Sequence, residues 1–292
     1  MDRHTLKSGG QEAVITRKGA ELESLRWEGL DLLWDARPLW PRHAPILFPV
    51  VGAMTGDQLR HQGGTYPMPK HGFARDQLFD WTERAADSCA LALEHHPETR
   101  AAYPWPFRLE VRYLLGKAGL RMELGLRNPG TAPLPASLGL HPAFRWPLVP
   151  GIPKSSYRLV FDQEEPGVLR RLDGQGLLRP TALPTPIRHR VLPLEEALFQ
   201  EDALIFLDPR SRSLRFEAEG GPSLALRWEG FPHLGVWTKP DPGPAYLCIE
   251  PWQGYASPSD WDGEFSEKPG GFLLAPGATR RWSLSIEPSA GT

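Results

Sequence analysis

Strict alternation of apolar and charged residues constrains this chain more than any other feature. Leu109, Val111, Tyr113 and Leu115 alternate with Glu110 and Arg112. After Gly116-Lys117-Ala118-Gly119 the pattern resumes, with Leu120, Met122, Leu124 and Leu126 set against Arg121, Glu123 and Arg127. A period of two puts all the apolar side chains on one face of a strand, and the glycine-flanked connector predicts a β-hairpin. The pattern returns at Leu214, Phe216 and Ala218, and after Gly220-Gly221-Pro222 at Leu224, Leu226 and Trp228. It returns once more at Trp282, Leu284 and Ile286. Long helices are hard to build here, because 32 prolines and 29 glycines are spread through the 292 residues and each interrupts helical hydrogen bonding or ordering. The best helical stretch, around Leu194–Phe199, reads as a surface turn or two. The expected fold class is therefore all-β, a large antiparallel sandwich or barrel.

Residues 1–292 read as a single domain. No linker separates two halves, and the proline-rich stretch Pro180–Pro193 reads as a long internal loop. Leu-Arg-Trp-Glu-Gly occurs at Leu25–Gly29 and again at Leu226–Gly230. Two copies without a fixed period are strand-to-turn segments of similar composition rather than a repeat architecture. With 33 basic against 35 acidic residues the net charge is −2, which argues against nucleic acid or an anionic membrane as partner. Two cysteines, Cys89 and Cys248, allow neither a disulfide framework nor a cysteine-rich zinc site. The start is polar, no long apolar run follows, and Asn128-Pro129 is not a glycosylation site. A cytoplasmic protein is expected. The single Asn and the 26 Arg against 7 Lys suit either a GC-rich genome or a hot habitat.

The sequence has no phosphate-binding glycine loop, nucleophile elbow or HExxH helix. What it has are four dense, non-periodic segments: Pro45–Gly52, Lys70–Arg75, Gly139–Pro147 and Cys248–Tyr255. Rigid proline–glycine frames that hold polar groups beside aromatic surfaces are what a binding loop needs and a core strand does not. His71, before Gly72-Phe73, is either a turn histidine or a site residue. His141, held extended by Pro142, is either a satisfied core histidine or one facing a pocket with an aromatic wall. Glu250 ends the apolar run Ala245–Ile249, sharing a face with Tyr246 and Cys248, and burying a carboxylate there is costly unless it is paired or used. Cys248 reads as a small core residue rather than a nucleophile. Two histidines and a glutamate admit either metal coordination or direct acid–base work. Separations of roughly 70 to 110 positions resemble no local metal motif. Phe73, Phe144, Trp237 and Trp252 offer flat apolar surfaces suited to a sugar.

Pro45–Gly52, His71–Arg75, Gly139–Phe144, Cys248–Trp252 and Glu267–Gly270, in that order, resemble the aldose 1-epimerase (galactose mutarotase-like) superfamily. Its bacterial LacX-like branch is the nearest in pattern, over about residues 10 to 287. The resemblance implies a β-supersandwich and interconversion of the α and β anomers of a hexose, with no cofactor and no metal. It implies His141 as general acid to the ring oxygen and Glu250 as general base to the C1 hydroxyl. His71, Arg75 and Asp202 would contact the substrate. An ionised Glu250 near His141 would raise the histidine's pKa. Galactose mutarotases proper carry arginines after the position of Val51, whereas this chain reads Gly52-Ala53-Met54-Thr55-Gly56, with none until Arg60. Arg42 or Arg75 would have to compensate. The expected partner is a small sugar, and the chain would work as a monomer or homodimer. Three alternatives stand beside this reading. One is a hexose-6-phosphate 1-epimerase clamping phosphate with Arg42, Lys70 and Arg75. The others are a non-catalytic sugar-binding protein and a metal-dependent His₂Glu enzyme.

Overall fold

The computed structural model describes residues 2–239 and 245–291. Nearly all the regular structure is β. Nine antiparallel strands form the larger sheet, in the order Val191–Pro193, Tyr157–Phe161, Ser213–Ala218, Ser223–Glu229, Thr279–Ser289, Leu120–Arg127, Arg108–Leu115, Ser88–Glu94 and Asp80–Arg84. Both expected hairpins are in it. Leu115 pairs with Leu120 across the glycine connector, and Leu214 pairs with Leu226. Along Arg108–Leu115 the alternating Leu109, Val111, Tyr113 and Leu115 are buried, while Glu110 and Arg112 are exposed. Alternation therefore dictated which face meets the core. The expected turn near Leu194–Phe199 is a single 3₁₀ turn, Glu196–Phe199, and a short helix, Pro97–Ala102, adds to it. The two Leu-Arg-Trp-Glu-Gly copies end strands of different sheets.

A second sheet of six strands positions the site. Tyr246–Gln253 lies at its centre, flanked by His233–Trp237 on one side and by Leu138–Leu140 and Ala143–Arg145 on the other, with Leu204–Phe206 and Ile46–Leu47 at the edges. One face is apolar. Ile46, Leu138, Leu140, Leu204, Phe206, Leu234, Val236, Leu247 and Ile249 join a core cluster with Leu109, Val111, Leu124 and Leu284 of the larger sheet. That shared interior makes the molecule a sandwich. The opposite face carries Leu47, Ile205, Trp252, Cys248 and Tyr246 under covering loops. Both faces are buried, so all eight residues of Tyr246–Gln253 are buried and their polarity no longer alternates.

Candidate active site

The covered face of the six-stranded sheet holds a cavity of about 200 Å³, small enough for one polar ring. Its lining includes Trp40, Lys70, His71, Arg75, His141, Asp202, Trp237, Glu250 and Trp252. Glu250 and Trp252 come from the central strand, two residues apart and hence on one face. Two glycines on that face make room for the Trp252 indole. A Cβ on Gly235 would sit 2.3 Å from the indole, and one on Gly139 would sit 2.7 Å from it. His141 follows the strand Leu138–Leu140 and brings Nε2 to 3.1 Å from Glu250 Oε2. Trp40 stacks on the His141 ring at 5.2 Å, and Trp237 meets it edge-on at 5.8 Å.

His71 is both a turn histidine and a cavity residue. It has φ 69°, and Gly72 after it has φ 72°. A Cβ on Gly72 would lie 2.2 Å from the Phe48 carbonyl oxygen, so only glycine fits there. The Gly52 N–H donates to His71 Nδ1 at 3.1 Å, which leaves the ring proton of the neutral imidazole on Nε2. Burial, followed by the charges of His141, Lys70, Arg75 and Arg42, pushes the His71 pKa well down. Asp202, at φ 67°, caps the Ala203 N–H at 2.7 Å. Arg171 anchors this loop, donating at 2.7 Å to the Asp202 and Leu198 carbonyls.

Burial also governs the central pair. It pushes the Glu250 carboxyl well above its ordinary range, opposed by the charge of Lys70. It pushes the His141 imidazole down to about 3, helped by Arg75, Lys70 and Arg42. The expected upward pull of Glu250 on His141 is thus outweighed by loss of water around both groups. Glu250 Oε2 is buried against His141 Nε2, while the buried His141 Nδ1 has no hydrogen-bond partner.

Three expected contact residues lie elsewhere. Phe144 is opposite Leu247 in the ladder and therefore on the core face, where it is fully buried. Phe73 turns into an aromatic cluster with Phe48, Tyr103 and Phe107. Arg42 does not line the cavity; its guanidinium pairs with Asp76 at 3.1 Å. Arg75 does line it, donating at 2.6 Å to the Lys70 carbonyl, with burial lowering its pKa to about 10. Arg60, the next arginine along the chain, pairs with Asp262 at 2.6 Å and does not line the cavity. Sequence reasoning missed Trp40 and Arg171. The flanking Pro38 and Pro41 were the available signal for Trp40, while Arg171 lies in no motif.

The aldose 1-epimerase family model matches residues 2–287. Protein LacX of Lactococcus lactis is 29% identical over 279 residues, covering 92% of this chain and 93% of its own length. A galactose mutarotase-like protein from Lactobacillus casei superposes with a TM-score of 0.91 at 27% identity, covering 98% of this chain and 100% of the other. A galactose mutarotase related enzyme from Lactobacillus acidophilus gives 0.90 at 28%, over 99% and 98%. Both the whole-length family match and the β-sandwich lead to one conclusion: the chain belongs to the aldose 1-epimerase family, as an epimerase-type isomerase similar to the LacX-like proteins.

Proposed function

We propose that the protein is a hexose mutarotase in which His141 and Glu250 exchange protons with the hemiacetal. The observation that carries this is the 3.1 Å contact between His141 Nε2 and Glu250 Oε2 inside a sugar-sized cavity. The ring oxygen and the anomeric hydroxyl are bonded to the same carbon, so adjacent groups can address both at once. Glu250 takes the proton of the C1 hydroxyl while His141 gives one to the ring oxygen, and the C1–O5 bond opens to the aldehyde. Rotation about C1–C2 presents the other carbonyl face. Reversal of the two transfers closes the ring to the other anomer.

The pair needs only one proton between its members. Carboxylate with imidazolium begins ring opening, and carboxylic acid with neutral imidazole ends it. Burial favours the neutral form of both groups. Substrate hydroxyls and the nearby charge of Lys70 favour the ionic one. Each transfer by a positioned group is worth roughly 10²–10⁴ in rate. His71 supplies a fixed Nε2–H donor near the ring oxygen, Asp202 and Arg75 bind hydroxyls, and Trp40, Trp237 and Trp252 face the sugar's apolar surfaces.

Lys70 and Arg75 both line the cavity, which favours a hexose 6-phosphate as a second reading. Polarimetry or NMR of freshly dissolved α-glucose, α-galactose and glucose 6-phosphate separates the two readings. Full activity in Glu250→Gln on the best sugar would remove the base assignment.

A further inference from the structure

Cys248 adjoins the acid–base pair but does not line the sugar cavity. It precedes Glu250 by two residues on the central strand, so both side chains leave the same face. Its sulfur, a His141 ring nitrogen and a Glu250 carboxylate oxygen lie within 4.8 Å of one another, and all three residues are buried. Around the sulfur are Trp34, Ala143 and Tyr246, with Trp40 and Trp237 packed against them. His141 and Glu250 face the cavity, with His141 Nε2 3.1 Å from Glu250 Oε2.

We propose that His141, Cys248 and Glu250 form a binding site for a thiophilic divalent cation such as Zn²⁺ or Cd²⁺, reached through the sugar cavity and inhibitory when filled. Three donors separated by no more than 4.8 Å leave a central point about 2.8 Å or less from each. Contraction by less than about 1 Å gives Zn–S near 2.3 Å and Zn–N and Zn–O near 2.0 Å. The donor set is one sulfur, one nitrogen and one oxygen, which selects a borderline or soft cation over Mg²⁺ or Ca²⁺. Charge balance points the same way. The cation displaces one proton from the thiol and one from the carboxyl, both released to solvent. Thiolate, carboxylate and neutral imidazole then make an uncharged complex, the form a buried site tolerates best. Lys70 and Arg75 oppose an unneutralised cation in the same cavity.

His141 Nδ1 has no hydrogen-bond partner. A resident zinc site ordinarily orients its histidine through that second nitrogen. The trio is therefore suited to reversible, inhibitory binding. A bound ion would occupy the lone pairs of Glu250 and His141 on which both proton transfers depend.

Cadmium titration of the purified protein, followed through the thiolate-to-cadmium charge-transfer band, tests binding without any assay of turnover. The wild type should develop the band at one equivalent, and Zn²⁺ should compete it away. Cys248→Ala should lose the band and bind about 100-fold or more weakly, with Cys248→Ser as the near-isosteric control for folding. In parallel, Zn²⁺ should inhibit mutarotation by the wild type, reversibly on chelation, while Cys248→Ala stays active and at least about tenfold less sensitive. Absence of the band, or equal zinc sensitivity in Cys248→Ala, would overturn the proposal. The inhibition arm rests on the mutarotase reading and the spectroscopic arm does not. A band without turnover on any sugar would fault only that reading.

Discussion

The two sheets bury their residues by different rules. Along Arg108–Leu115, charged side chains alternate outward and pair with one another, as Arg112 does with Glu83 at 2.9 Å. Along Tyr246–Gln253 every residue is buried, Glu250 included. One face of that strand completes the core through Leu247 and Ile249, while the other supplies Cys248, Glu250 and Trp252 to the covered face. A one-sided sheet can discard its charges to water. A sheet covered on both sides keeps a carboxylate only at a cost in stability, and here that carboxylate stands at the site.

Substitutions at the two faces should separate activity from stability. The largest expected effect is in Glu250→Gln, which should lower mutarotation by about 10²–10⁴ in kcat while keeping the fold, as read by polarimetry and circular dichroism. His141→Gln should fall in the same range. On the core face of the neighbouring strand the outcome should reverse. Phe144→Ala should cost about 3–5 kcal/mol in chemical denaturation, with the remaining folded protein keeping its KM.

The raised Glu250 pKa makes a prediction about stability with a definite sign. Its contribution is fully present below the unfolded carboxyl pKa near 4.3 and is lost as pH rises toward the folded value. Glu250→Gln does not titrate, so it should gain on the wild type by about 1.4 kcal/mol per pH unit over that window. His141 acts oppositely. Its depressed pKa makes stability present above about 6.5 and lost as pH falls toward about 3. His141→Gln should remove that acid limb. Thermal unfolding of the three proteins between pH 4 and 8 reads both slopes, and parallel curves would show that the pair is not buried in its neutral form.

The smallest effect should come from the solvent-facing rows of the larger sheet. Arg112→Ala should cost no more than about 1 kcal/mol, and less in high salt, because the Arg112–Glu83 pair is exposed. A larger loss would mean that the outward face is itself covered by a partner.

Much of this contrast was legible in the residues. The alternation at 109–126 and 214–228 identified one-sided strands, because a period of two is a local property of extended backbone. His71, His141, Glu250 and Trp252 stood out in segments too dense in histidine, proline and aromatics for a core, and Trp237, outside them, as a flat aromatic surface. Phe73 and Phe144 stood out for the same reason, yet their side chains enter the core. Composition marks a segment and cannot tell which side of it faces a cavity. For Phe144 that depends on its pairing with Leu247, more than 100 residues away in sequence.

The sequence by itself therefore determined the strand-rich fold, the one-sided sheet and the set of residue types from which a site is made, since these follow from local periodicity and chemistry. Only the tertiary structure decided that His141 and Glu250 meet at 3.1 Å and that Trp40 stacks on the imidazole. It alone decided that Arg42 is held by Asp76 and that Cys248 stands beside the His141–Glu250 pair. The physical reason is that each depends on strand register and loop closure between distant segments. The same packing removes water from the pair, and that burial moves the pKa of both groups.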